Sequence, residues 1–277
     1  MKRSGSADAF SREEVILACE RNYIDYWACA GAPPYAEFSE ADGITKAITG
    51  LPNEIFNVVL KCRFGQGQVA QAVDRAIEGF RKRRIPLLWH VGRLSEPRDL
   101  GRYLEERGFP HDYDLRAMAA SSETAADVDL QSDDIMVEPV RTGHQSLRWI
   151  ECLASSWHLP DEVPLWMSKN PCFNVEAESK TGLELSRRMY LGMISGTPVS
   201  ASMLFWSHGI AGLQAVGTTP SAQGRGAGTA VIKAALKDAC CMGFPQVVVL
   251  STVEGEGLYR KTGFQRFGEL PEHSMHF

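Results

Sequence analysis

No two cysteines in this chain have C-x-x-C spacing, and the seven that occur, Cys19, Cys29, Cys62, Cys152, Cys172, Cys240 and Cys241, are odd in number. That pattern excludes a disulfide or zinc framework and points to a reducing compartment, the cytoplasm. No uncharged run approaches the roughly 18 residues that cross a bilayer, and residues 1–10 lack an apolar core, so neither membrane nor export is expected. Positive charge is also in short supply: a formal net charge of −5 argues against a nucleic-acid surface. The one basic run, Arg81-Lys82-Arg83-Arg84, reads as a solvated helix end whose charge suits the C-terminal dipole. Neither G-x-S-x-G nor H-E-x-x-H occurs, and His158 has no second ligand at metal spacing, so no metal is expected.

What is present is enough chain for two cores, since 277 residues is long for one average domain. Ser11 and Glu14 have capping-box spacing, and Ile16, Cys19, Tyr23 and Trp27 follow at helical intervals until Gly31 and Pro33-Pro34. Residues 56–60 and 86–91 read as strands on either side of a helix marked by Val69, Val73, Ile77 and Phe80. A third helix is expected over 98–107. Residues 119–134 are small, polar and acidic and read as a linker. Beyond them come a strand over 135–140, a helix capped by Thr142 and Gln145, and a proline-broken segment with a short helix near 165–168. Three strands follow, over 188–193, 199–206 and 210–218, the last two joined as a hairpin through Ser207-His208-Gly209.

The stretch after this hairpin carries the chemistry. An apolar run ends in Val216, Gly217 and Thr218. Then come Gln223, Gly224, Arg225, Gly226, Ala227, Gly228 and Thr229, and a helix whose Ile232, Ala235, Leu236, Ala239 and Cys240 form one stripe. Alternating glycines let backbone approach a ligand, and the unpaired N–H groups of a first helical turn attract an anion, most plausibly a pyrophosphate. A Walker loop fails for want of Lys-Ser/Thr after the last glycine. A dinucleotide fingerprint fails because the glycines read G-x-G-x-G.

Gln223, Gly226 and Gly228 resemble the Q/R-x-x-G-x-G/A coenzyme A loop of the GNAT acetyltransferase superfamily. One helix and one strand later, Leu258-Tyr259-Arg260-Lys261-Thr262-Gly263-Phe264 resembles that family's L-Y-x-x-x-G-F element. The first half echoes the second: Ile85-Pro86-Leu87-Leu88-Trp89 answers Phe244-Pro245-Gln246-Val247-Val248, and Tyr103 to Phe109 answers Tyr259 to Phe264. Where the second half has its glycine loop, the first has only Phe64-Gly65-Gln66-Gly67-Gln68. The resemblance is therefore to a tandem arrangement with a degenerate first copy.

It implies an α/β (α+β) fold of two GNAT-like domains, each a mixed, mostly antiparallel sheet flanked by helices. The expected division is residues 1–118, a linker over 119–133, and a catalytic domain over 134–277. It also implies acetyl-coenzyme A as co-substrate and a small-molecule amine as acceptor, in a monomer or homodimer. Backbone of Val216, Gly217 and Thr218 would hold the pantetheine arm and residues 223–229 the pyrophosphate, while Thr252 replaces the family's cofactor-binding asparagine. Tyr259 would protonate the leaving thiolate. The strand segment Gly212-Leu213-Gln214-Ala215-Val216 has no carboxylate where many members have a base, which leaves Glu254, or Glu256 beside it, as candidate. Trp157, Asp161, Glu162 and Trp166 suit a cationic amine, although the two tryptophans read equally well as core aromatics. A non-catalytic acyl-coenzyme A sensor or scaffold is the rival reading, and the donor's acyl chain stays open.

Overall fold

The computed structural model describes residues 11–65, 67–123, 134–181 and 185–276. Helix α1 (Arg12–Ala30) begins at the expected capping box, with both reciprocal hydrogen bonds between Ser11 and Glu14 formed. The first half continues as β1 (Glu37–Ala41), β2 (Ile44–Ile48), β3 (Asn57–Cys62), α2 (Val69–Arg83), β4 (Leu87–His90), α3 (Leu100–Glu105) and β5 (His111–Ser121). The second half is β6 (Ile135–Pro139), α4 (Gly143–Trp157), α5 (Glu162–Lys169), α6 (Val175–Thr181), β7 (Arg187–Ile194), β8 (Thr197–Ser207), β9 (Ile210–Thr218), α7 (Ala227–Cys241), β10 (Gln246–Ser251), α8 (Val253–Lys261) and β11 (Gln265–Met275).

The eleven strands of the described residues join one sheet in the order β1-β2-β3-β4-β11-β5-β10-β9-β8-β7-β6. The expected pair of separate sheets gives way to an exchange of strands. The last strand, β11, pairs antiparallel with β4 on one side and β5 on the other, and β5 in turn pairs with β10. Each half thus has a strand of the other built into it. The boundary expected at residue 118 falls inside β5, and Ala119, Ala120 and Ser121 are strand, not linker. Residues 124–133 of the expected linker lie outside the described residues, as do residues 1–10 and Gln66.

The echo between the halves has a structural counterpart. The unit β3–α2–β4 has parallel strands joined at only two register pairs, Val58 with Leu88 and Val59 with Trp89. The unit β9–α7–β10 repeats this, with only Val247 paired to Ala211 and Val248 to Gly212. Beyond those pairs the strands part. One face of the sheet buries α1, α4 and α5 against Leu60, Leu191, Met203 and Phe205, and α1 continues over Leu115, Ala117, Ala119 and Val248. The other face carries α7 over Leu204, Leu213, Val247 and Val249, and α2 and α3 over Val59, Leu87 and Trp89.

A row of polar side chains crosses the exchanged strands on the α1 face. Glu272 of β11 is the register partner of both His90 and Tyr113, and its carboxylate contacts His90 Nδ1. Glu20 of α1 receives the backbone N–H groups of Arg93 (2.6 Å) and Leu94 (2.9 Å). Burial pushes the Glu272 carboxyl up to about 6, against the opposing pull of His90. Because this raised value makes the folded state bind the extra proton, its contribution is most favourable below the unfolded value and is lost as pH rises through about 6. Glu272→Gln should therefore gain stability relative to the parent, by roughly 2 kcal/mol, between about pH 4 and about pH 7 in urea unfolding. A stability difference independent of pH would contradict this.

Candidate active site

The parting of β9 from β10 places the residues singled out in the glycine stretch. After Val216, Gly217 and Thr218 end β9, a short 3-10 turn over Pro220–Ala222 leads into Gln223, which is extended. Gly224 and Gly226 both take left-handed backbone, with φ of 76° and 90°, a region costing a side-chain-bearing residue about 1–2 kcal/mol. Gly226 is the N-cap of α7 and, having no side chain, supplies no cap. Among the described residues the amides of Gly226, Ala227, Gly228 and Thr229 have no acceptor, and Ala230 is the first to bond back, to the Gly226 carbonyl at 3.0 Å. Gln223, Gly224 and Arg225 are exposed around this open helix end. Unpaired amides at the positive end of a 15-residue helix are what an anion requires.

Glycine at position 228 is a matter of space. A Cβ there would stand 2.9 Å from Thr218 Oγ1 and 3.2 Å from a Leu258 methyl. The cradle is thereby held against the end of β9 and the side of α8. Thr218 is tied further into the sheet through Ser200, whose hydroxyl lies 3.1 Å from its Oγ1 and donates to the Gly217 carbonyl at 2.9 Å.

Strand β9 is irregular just before the cradle. Its pairing with β8 shifts between Ala201 and Met203, and Ala215 is left-handed with φ of 50°. Such a bulge turns backbone groups out of the ladder and re-aims them. One of these is occupied: Trp157 Nε1 donates to the Val216 carbonyl at 3.1 Å. Trp157, 38% exposed, thus stands beside the end of β9, at the edge of the parting. Trp166 does not. Its Nε1 donates to the Tyr35 carbonyl at 2.6 Å, and its ring packs on Phe56 and Phe173 at 5.8 and 5.5 Å. It is a core aromatic joining the halves, because the proline-rich segment folds as the longer helix α5 and turns it inward. Asp161 and Glu162 start that helix and are exposed.

Across the parting, Tyr259 lies on α8 with 7% exposure, its ring set edge-on to Phe264 at 5.4 Å. Its hydroxyl has no hydrogen-bond partner among the described residues, and burial raises its pKa above the ordinary phenol value. Thr252 is the N-cap of α8, its side chain accepting from the Gly255 N–H at 3.2 Å, so its hydroxyl already serves the helix. Glu254 is exposed in the first turn of α8 and forms no ion pair among the described residues.

Sequence reasoning overlooked the part that α1 plays. Asn22, 1% exposed, donates to the carbonyls of Phe205 (3.2 Å) and Ile210 (3.4 Å), and its Oδ1 receives Gln214 Nε2 at 3.0 Å. It sits against Gly212, where a Cβ would come within 2.1 Å of Asn22 Oδ1. A helix of the first half therefore floors the parting in the second. The available signal was polar Asn22 and Glu20 embedded in an otherwise apolar helical pattern.

Residues 149–264, from α4 to the end of the Tyr259 element, match the sequence model of the Acetyltransferase (GNAT) family. No curated protein is similar to the chain in sequence. Among solved structures, a GCN5-related N-acetyltransferase from Kribbella flavida aligns over 97% of this chain and 96% of its own, with a TM-score of 0.67 and 11% identity. A GCN5-related N-acetyltransferase from Sphaerobacter thermophilus aligns over 84% and 76%, with a TM-score of 0.63 and 17% identity. A tandem GNAT protein from the clavulanic acid biosynthesis pathway aligns over 96% and 97%, with a TM-score of 0.59 and 12% identity. At these identities the likeness is one of fold. The matched segment contains the cradle, the bulge and Tyr259.

Proposed function

We propose that this chain, whose fold is that of the GNAT acetyltransferases, transfers an acyl group from a coenzyme A thioester to the amine of a small molecule. The observation that carries the reading is the open amide end of α7 beside the bulged end of β9, with the buried phenol of Tyr259 across the same parting. The residues fit the group: unpaired amides at 226–229 suit its pyrophosphate, and bulged backbone near Ala215 suits the polar groups of an extended arm. When bound, the thioester supplies an activated acyl carbon.

The chain's own residues then have distinct tasks. The amine nitrogen attacks the acyl carbon, the C–N bond forms, and the C–S bond breaks. Tyr259 gives its proton to the departing sulfur. Glu254, exposed at the start of α8, takes a proton from the amine. Trp157 closes one wall and holds the Val216 carbonyl, while Asn22 fixes Gln214 beneath the parting. Backbone N–H groups freed by the bulge polarise the acyl oxygen.

Calorimetry with acetyl-coenzyme A and thiol release across an amine panel test this together. Binding should be saturable, thiol release should require an amine, and Gly228→Val should weaken binding at least about tenfold by closing the cradle against Thr218 and Leu258. Absence of binding would end the proposal. Saturable binding without turnover for any amine would support the rival acyl-coenzyme A sensor. That reading has one observation in its favour: β9 carries Gln214 and no carboxylate next to the parting.

A further inference from the structure

A second concave site lies at the far edge of the sheet. Strand β6 ends at Pro139, opposite Tyr190, while its partner β7 extends further, to Arg187. The outer flank of β7 is thus left without a strand, and a groove of about 630 Å³ occupies the place. The last turns of α7 wall it on one face of the sheet and α6 on the other. Its floor is apolar, formed by Val140, Leu185 and Met189. Both size and lining are those of a small-molecule site.

The polar groups of the groove are unbalanced. Among the described residues Arg141, Arg187, Arg188 and Lys237 line it, against two carboxylates, Glu178 and Asp238. Both carboxylates are already engaged. Asp238 receives Arg188 at 2.9 Å and the Tyr190 hydroxyl at 2.7 Å. Glu178 receives Arg187 Nη2 at 2.8 Å and the Leu185 N–H at 2.7 Å. Arg141 and Lys237 have no side-chain partner among the described residues, and Arg187 Nε is buried with no acceptor. Two cations without a partner among the described residues and an orphan guanidinium N–H lining one groove are unexpected in a chain whose net charge is −5. A buried donor without an acceptor is costly unless something supplies one.

We infer that this groove binds a small amphiphilic anion, a carboxylate or phosphate headgroup held by Arg141 and Lys237 with an apolar body lying on Val140, Leu185 and Met189. The site is separate from the candidate active site. Lys237 lies ten residues along α7 from the cradle, about 15 Å away along the helix axis. The chemistry suits planar or tetrahedral oxyanions, which accept several N–H donors at once. It disfavours amines, which would meet like charge.

Octanoate and octyl phosphate serve as probes for the two headgroups, and octylamine as control. They are followed by calorimetry and by the methyl resonance of Met189, a fully packed residue of the groove floor. At least one anionic probe should bind saturably and shift the Met189 methyl, and octylamine should do neither. The double variant R141A/K237A should weaken that binding at least about tenfold, since two charge-assisted contacts are removed. Both side chains are exposed, and matched thermal unfolding of variant and parent checks that the fold is kept. Saturating coenzyme A should leave anion binding unchanged, whether or not the acyl-transfer proposal stands. The inference is overturned if neither anion binds, if octylamine binds equally, if the double variant binds as the parent does, or if coenzyme A displaces the probe.

Discussion

Neither half of this protein should fold without the other: a fragment of residues 1–123 and a fragment of residues 134–277, each expressed alone, should lack a cooperative unfolding transition, while the two expressed together should associate. The reason lies in the middle of the sheet. Without the second half, β4 and β5 face each other across the space that β11 fills, and both lose a ladder of backbone hydrogen bonds. Leu270, Glu272 and His273 of that strand are buried, so their neighbours Leu115, His90 and Phe109 would be opened to water or left unpaired. Without the first half, β10 loses β5 over six register pairs. The apolar cover that Ile16, Cys19 and Trp27 of α1 give the sheet is lost as well. Losses on this scale exceed the roughly 5–15 kcal/mol that separates a folded chain from an unfolded one. Circular dichroism with urea titration of each fragment and of the pair decides the matter. A second-half fragment that unfolds cooperatively at the parent's denaturant midpoint would show that the exchange of strands adds nothing essential.

The second large effect concerns chemistry. Tyr259→Phe should lower turnover by about 10²–10⁴ while leaving coenzyme A binding unchanged, the range for loss of a positioned general acid. The substitution is well isolated. The Tyr259 hydroxyl has no partner among the described residues, so a phenyl ring keeps the edge-on contact with Phe264 and removes no structural hydrogen bond. Any fall in rate then reports on proton transfer and not on packing. Burial raises the phenol's pKa, so the proton is retained as pH increases. The parent's rate should therefore show no alkaline decline from this residue below about pH 10, where an ordinary tyrosine ionises. Unchanged turnover in the variant, with thermal stability intact, would make Tyr259 a core aromatic and remove it from the reaction.

How far the sequence discloses this arrangement depends on which side chains report their surroundings. Helix α7 is legible because its apolar residues keep helical spacing and a glycine precedes it. The β8–β9 hairpin is legible because Ser207-His208-Gly209 separates two apolar runs. The reciprocal bonds of Ser11 with Glu14 and of Thr142 with Gln145 form as their spacing predicts. The exchange is not legible, for two physical reasons. Strand β5 ends in Ala119, Ala120 and Ser121, small residues that resemble a linker in sequence, yet Ala119 is buried under α1 and Ala120 in the core beneath α7. Strand β11 carries Glu269, Glu272 and His273, a polar pattern that suggests an exposed tail, yet it is central, with Glu272 satisfied in part by His90. In the candidate site, the cradle and Tyr259 were visible as local motifs. Asn22 was not, since its role depends on a contact with residues nearly two hundred positions away.

The place of β11 also bears on the order in which this protein can form. Strand β11 lies between β4 and β5, which precede it in the chain by more than 140 residues. While the chain emerges from the ribosome, the first half therefore carries one open edge on β4, two on β5 and the apolar surface around Leu115 and Trp89, and it must wait until β10 and β11 have been made. Contacts so distant in sequence form slowly, and waiting strand edges invite pairing with other chains. The nascent first half is thus the stage at which this protein is most exposed to aggregation and has most need of a chaperone.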